Sequence, residues 1–208
     1  MKLFPVTRII YKNDMNDRTV FNSIFEPGSI AFVGASSDVF KWGFNILHHI
    51  VRGGFKGNIY PVNPSGGTWY GIQMHPSISS LPGPADLAVI IVPREAVLSA
   101  VRECAASGIR AAIIITAGFS ETGHDGARLE AEVASAAGAG GVRLVGPNTM
   151  GVFSGYPSPM QAVMMSSPIC AGGAAVISQS GNLATSISYR LMRKNIGISR
   201  LVSSGNEA

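Results

Sequence analysis

The stretch SIAFVGASSDVFKWG, Ser29 to Gly43, decides how the rest of the chain is read. Ser29 to Val33 is an apolar run too short for a helix and of the right length for a buried strand. Gly34 ends the run, the small residues Ala35, Ser36, Ser37 and Asp38 make a turn, and an amphipathic helical pattern begins after Gly43. Strand, tight turn and helix in that order present the N–H groups of a helix N-terminus above a sheet edge, which favours an anion such as a phosphate. Lys41, inside the same turn, adds a point charge. The stretch therefore predicts a site for a phosphate-bearing ligand.

Working outward, Phe44, Leu47 and Val51 recur at helical spacing until Gly53-Gly54 stops them, and Asn58 to Val62 forms a second strand that leaves through Asn63-Pro64-Ser65-Gly66-Gly67. Thr68 to Pro84, rich in Pro, Gly and Ser, reads as a surface connection. Leu87 to Val92, Ala111 to Ile115 and Val142 to Val145 are further strands, separated by helices over Glu95 to Ser107 and Gly126 to Ala137. The alternation predicts an α/β fold with a doubly wound, Rossmann-like parallel sheet. Its βα turns, at Gly34 to Lys41, Asn63 to Gly67, Val92-Pro93, Thr116 to Phe119 and Pro147-Asn148, open at one sheet edge, where such folds bind ligands.

The domain division expected is a disordered leader over 1–22, a first domain over 23–151, a linker over 152–171 without regular period, and a second unit over 172–208. In that unit Ala174 to Ile177 and Ile198 to Ser203 read as strands around a helix over Asn182 to Lys194. One βαβ unit of about 35 residues cannot close its own core, so the second domain is expected to be incomplete, with the βαβ unit as its start.

Of 208 residues 46% are hydrophobic and 13% charged, which suits strands covered on both faces. Sixteen Lys and Arg against twelve Asp and Glu give +4 without a block of like charge, so nothing asks for nucleic acid and an anionic small ligand accounts for the excess. No run reaches the ~18 apolar residues of a membrane span, and Pro5, Thr7 and Arg8 break any signal-peptide core. Cys104 and Cys170 are far apart and outside any CxxC, the pattern of reduced thiols in a cytoplasmic protein, with Cys104 on an apolar helix face.

A dinucleotide is disfavoured on two counts. Ser36 stands where the second Gly of G-x-G-x-x-G belongs, and the second strand ends in Asn63 instead of the acidic residue that holds a ribose hydroxyl. Taken in order, Phe25-Glu26-Pro27, VGASS…KWG, GGFKGNIYPVNP, DLAVIIVP, AGFSETG and GPNTMG resemble the CoA-binding domain of the NDP-forming acyl-CoA synthetases, a family that includes ADP-forming acetate–CoA ligases and relatives of the succinyl-CoA synthetase α subunit. ISQSGNLA and SSGNEA resemble the start of that family's flavodoxin-like second domain.

The resemblance implies that Gly34, Ala35, Ser36 and Lys41 surround the CoA pyrophosphate, that Val62 and Asn63 lie near the adenosine part, and that Val92, Pro93 and Thr116 follow the pantetheine arm. It gives Ser180, Gly181 and Asn182 the role of a phosphate-binding helix N-terminus that steadies a phosphohistidine, for which the helix dipole supplies a reason. It also implies a ligase that makes acyl-CoA from a carboxylic acid, CoA and ATP through an acyl phosphate. ATP or ADP with Mg would enter only through a further ligase segment or an ATP-grasp subunit. One departure is Ser65, where the family has a basic residue directly after VNP.

No catalytic residue is assigned within the chain. His48 and His49 fall in the first helix, one expected packed and one exposed, while His75 and His124 lie in loops, and none has metal-ligand spacing. Ser180 in SQSG is not a G-x-S-x-G nucleophile and reads as a helix N-cap. Two readings remain: part of an acid–CoA ligase that binds CoA without turnover on its own, or a stand-alone CoA-binding regulatory or carrier protein.

Overall fold

The computed structural model describes residues 15–208. Five strands, β1 (Ser29–Val33), β2 (Asn58–Val62), β5 (Leu87–Ile90), β6 (Ala111–Ile114) and β7 (Arg143–Val145), form an all-parallel sheet in the order β2-β1-β5-β6-β7. The fold class expected from the sequence is therefore the one observed. The chain steps from β1 outward to β2 and then crosses to β5 on the other side of β1, which makes the β1/β5 crevice the switch point of the sheet. Between β2 and β5 lies the small hairpin of β3 (Thr68–Trp69) and β4 (Ile72–Gln73), which buries Trp69.

The central strands are apolar at every position except Ser29, which opens β1, because both faces are covered. Ala31, Val33, Ala88, Ile90, Ala112 and Ile114 face one side, where helices α3 (Arg94–Ala106) and α4 (His124–Gly140) supply Val97, Val101, Cys104, Val133 and Ala137. Ile30, Phe32, Leu87, Val89, Ala111 and Ile113 face the other, against Ile46, Leu47 and Ile50 of α2 (Trp42–Arg52). Cys104 is fully buried, and that burial pushes its thiol up to about 12, so it packs as an inert apolar group. The edge strand β2 tolerates Pro61, as edges do.

Two expectations need correction. Part of the expected leader is the helix α1 (Met15–Phe25): Ile24 is buried on the α2 face of the sheet, and Arg200 reaches this end, paired with Glu26 at 3.2 Å and lying over the Phe25 ring at 5.5 Å. The remainder of that stretch, 1–14, lies outside the described residues. The expected linker 152–171 contains strand β9 (Met160–Val163) and most of β8 (Gly151–Ser154), joined as an antiparallel pair.

These two strands continue through β11 (Ile198–Ser203) to β10 (Ala171–Ser178) as a second sheet, with α5 (Gly181–Met192) packed on β10 and β11. Every residue of β8 and β9 is buried because both faces meet a core. Val152, Met160 and Ala162 join the core beneath α2, while Phe153 and Val163 join Val176, Ala184, Ile198 and Leu201 beneath the second sheet. A strand buried on both faces loses the period-2 signature, which is why these short runs of Gly, Met and Ser show no regular period.

The seam between the sheets carries a titratable group. His49 on α2 is half-buried and its Nδ1 lies 3.2 Å from the Val163 carbonyl of β9. Burial lowers its pKa below 6.5, with nearby His48 and Arg52 adding to the effect, against the opposing pull of the Val163 carbonyl. A histidine whose folded pKa is depressed binds fewer protons folded than unfolded, so stability rises with pH. Its contribution is present in full above 6.5 and is lost as pH falls through the lower folded value. Denaturant midpoints should fall from neutral pH toward about pH 5 more steeply in the wild type than in His49→Gln. Parallel declines would show that His49 does not sense pH at this seam.

Candidate functional site

At the end of β1 the backbone turns through Gly34 with φ +98°, a left-handed conformation. A methyl there would run into the Ile91 carbonyl, and one at Gly43 into the Gly34 carbonyl, so β1, the residue following β5 and the first turn of α2 approach to backbone contact. The amides of Gly34 and Ala35 both donate to the Val62 carbonyl, at 2.9 and 3.1 Å, and Asn63 Nδ2 donates to the Ala35 carbonyl at 2.7 Å. Gly34, Ala35, Ser36, Val62 and Asn63, picked from separate stretches of sequence, thus meet at one corner.

The rest of the turn is wound by its own side chains. Ser36 Oγ accepts from the Asp38 amide, Asp38 Oδ1 accepts from the Phe40 amide, and Asn45 Nδ2 donates to the carbonyls of Val39 and Lys41. Among the described residues, the N–H groups of Ser36, Ser37, Trp42 and Gly43 have no acceptor. Lys41 is the N-cap residue of α2 without a side-chain cap bond, is exposed, and has no carboxylate partner among the described residues. Open N–H groups at a helix N-terminus, beside an ammonium with no carboxylate partner among the described residues, are groups that an anion can pair with. Ser65 is exposed nearby, its amide bound to Asn63 Oδ1 at 2.8 Å.

Beside the corner, beyond the C-terminal ends of β5 and β6, lies a mostly apolar cavity of about 370 Å³ whose walls include Trp42, Ile91, Val92, Thr116, Asn148 and Met150. Thr116 Oγ1 donates to the Val92 carbonyl at 2.7 Å and so ties two walls together. Of the three residues expected along an extended arm, Val92 and Thr116 line this cavity, whereas Pro93 caps α3 at the surface. A larger hollow of about 620 Å³, lined by Arg102, Arg128 and Glu132, opens between α3 and α4 on the helical face.

Met150 connects the cavity to the second sheet. A methyl at Gly181 would strike the Met150 side chain, and the Met150 amide donates to Ser203 Oγ at 3.2 Å. The N-terminus of α5 therefore adjoins the cavity through one side chain. Ser180 caps it by accepting from the Leu183 amide at 3.3 Å, with Asn182 exposed alongside. Sequence reasoning misses Trp42, Ile91 and Met150 as wall residues. The exposed Trp42 next to Lys41 is a usable signal, while Met150 sits at the edge of a stretch without regular period and carries none.

The histidines stand elsewhere. His48 stacks on Phe44 and, like His49, is half-buried, although one of the two was expected to be exposed. His75 flanks β2 and His124 opens α4.

Residues 28–154 match the family model described as a CoA binding domain, and residues 171–208 match that of the succinyl-CoA ligase like flavodoxin domain. Acetate–CoA ligase [ADP-forming] II of Archaeoglobus fulgidus is 38% identical over 187 residues, which is 88% of this chain and 28% of that protein. The alpha subunit of acetate–CoA ligase [ADP-forming] II of Pyrococcus furiosus is 36% identical over 184 residues, 88% of this chain and 40% of the subunit. Among solved structures, the apo form of the dinucleotide forming acetyl-coenzyme A synthetase 1 of Ca. Korarchaeum cryptofilum superposes with a TM-score of 0.84 at 38% identity, over 90% of this chain and 40% of that one. The chain thus spans well under half the length of these relatives.

The packing at Gly34 gives a direct test. Gly34→Ala should lower unfolding stability by about 2–4 kcal/mol, since it combines a strained φ with a clash against backbone. A denaturant midpoint within error of wild type would mean that the turn relaxes freely and does not hold the corner.

Proposed function

Because the chain belongs to the CoA binding domain family, we propose that it is the CoA-holding part of an acid–CoA ligase of the ADP-forming type. The observation that carries this reading is the set of unfilled N–H groups, with Lys41 unpaired among the described residues, beside a mostly apolar cavity. CoA has that shape chemically: phosphates that seek N–H donors and a cation, followed by a long, weakly polar arm that suits apolar walls.

In this reading the pyrophosphate lies over the turn of Gly34, Ala35 and Ser36, with Lys41 over it and Val62 and Asn63 backing the adenosine part. It takes its hydrogen bonds from the open N–H groups that begin at Ser36, those of Gly34 and Ala35 being held by the Val62 carbonyl. The arm passes Val92 and Thr116, with Pro93 outside the cavity at the cap of α3, and brings the thiol toward Met150. Across Met150 stands the α5 N-terminus, where Ser180, Gly181 and Asn182 would hold a phosphoryl group or an acyl phosphate. Helix charge supports this pairing. The first turns of α3 and α4 contain Glu95 and Asp125, whereas those of α2 and α5 contain no acidic residue, so only the latter two keep an uncompensated positive end.

The thiolate would then displace phosphate from the acyl phosphate and give acyl-CoA. ATP or ADP, Mg and the phosphoryl-carrying histidine would come from a further segment or an ATP-grasp subunit, since the four histidines here stand on α2, beside β2 and on α4. Two free thiols and the absence of a helix long and apolar enough to cross a membrane among the described residues fit a cytoplasmic setting.

Calorimetric titration of the purified chain should give micromolar CoA binding and none for NAD. Absence of CoA binding overturns the proposal. Lys41→Ala should weaken CoA by ~1–3 kcal/mol, the scale of a charge-assisted hydrogen bond, and unchanged affinity would remove Lys41 from the site.

A further inference from the structure

The segment Ser204 to Ala208 follows β11 out of the second sheet and returns to the loops of the first. Asn206 makes most of the contact. Its amide donates to the Pro147 carbonyl at 2.9 Å, and its Oδ1 accepts from Asn148 Nδ2 at 3.2 Å. Its Nδ2 lies 2.6 Å from Glu121 Oε2, 2.7 Å from Glu130 Oε2 and 3.0 Å from Ser120 Oγ. An NH₂ group has two hydrogens for these three oxygens, and the two carboxylates take the short bonds.

Both carboxylates pass the contact on to backbone. Glu121 Oε1 accepts from the Gly118 amide at 2.5 Å, and Glu130 Oε2 accepts from the Ser120 amide at 3.1 Å. Burial opposes charge on Glu121, but the Asn206 amide and the N–H groups of Gly118, Glu121 and Phe119 outweigh it and hold the carboxyl below its usual range. Each acid therefore links Asn206 to the loop that leaves β6, whose start, Thr116 and Ala117, is cavity wall. Asn148, bonded to Asn206 directly, belongs to another wall.

We propose that Asn206 is a positioning residue for the cavity: it sets the spacing between the 116–123 loop and Asn148, and so couples the second sheet to the affinity for the ligand arm that runs between them. This rests on the reading of the cavity as the CoA arm site. A tether that merely stabilised the chain would attach anywhere on the loops; this one holds two walls of one cavity from a segment of the other sheet.

The test combines amide hydrogen exchange on the unliganded chain with CoA titration, for wild type, Asn206→Ala and Asn206→Asp. In Asn206→Ala the amides of Gly118 and Ser120 should exchange at least about tenfold faster, those of Val89 and Ile113 in the central strands should not change, and CoA should bind about tenfold more weakly. In Asn206→Asp a third carboxylate faces Glu121 from the loop and Glu130 from α4. The other charged groups nearby are Glu207 of the same segment, bonded to Ser204 Oγ, and Arg94 of α3, bonded to the Gly118 carbonyl.

Clustered carboxylates take up a proton readily, and the introduced carboxyl, once protonated, can donate again. CoA affinity of this variant relative to wild type should therefore recover as pH falls from about 7 to about 5, a profile that a purely structural tether does not produce. Unchanged exchange at Gly118 and Ser120 in Asn206→Ala, or a CoA deficit in Asn206→Asp that persists at low pH, overturns the role. A wild-type chain that takes up no CoA defeats the functional reading and this inference with it. CoA binding as tight in Asn206→Ala as in wild type defeats the inference alone.

Discussion

The structure depends on one close approach: at Gly34 the end of β1 passes against the Ile91 carbonyl on one side and the first turn of α2 on the other. No side chain fits between them, so strand, turn and helix are held at backbone distance. The helix N-terminus is thereby fixed over the switch point of the sheet, where β1 lies between β2 and β5. The N–H groups of Ser36, Ser37, Trp42 and Gly43 stay open because the turn satisfies itself by other means, through Ser36, Asp38 and Asn45. Val62 and Asn63 complete the corner by bonding its backbone from the neighbouring strand.

A second constraint joins the two sheets. The β8–β9 pair has core on both faces, so neither sheet can shift without opening a buried surface. Interiors packed in this way transmit displacement instead of absorbing it. The contacts of Met150 with Gly181 and of Asn206 with Asn148 and Glu121 lie along the same seam, nearer the cavity. The cavity is bounded from the first sheet and braced from the second.

The parallel sheet is legible in the sequence because β1, β5 and β6 are buried on both faces and read as continuous apolar runs between punctuating glycines. The turn with open N–H groups is legible for a local reason: a small-residue turn with one lysine between strand and helix is a pattern of a few adjacent residues. What the sequence hides depends on distant partners. Strands β8 and β9 take their burial from elements on opposite sides, and α1 meets the rest of the chain through distant partners that include the Ile24 core contact and Arg200 over Phe25. Asn206 carries no local signal, since its four side-chain partners lie 58 to 86 residues earlier.

Helix charge ties these features together. Of the four α-helices that follow strands of the two sheets among the described residues, two, α3 and α4, meet their own positive end with Glu95 and Asp125. The remaining two, α2 and α5, have no acid in the first turn to offset that charge, and they flank the cavity from opposite sheets. An uncompensated helix end costs little when water reaches it and gains most when an anion displaces that water. Two such ends separated by an apolar passage suit a ligand with phosphate at one extremity and chemistry beside a second anion at the other. In the function proposed above these are CoA and an acyl phosphate, which would meet beside Met150, the residue that lines the cavity and lies against the α5 terminus.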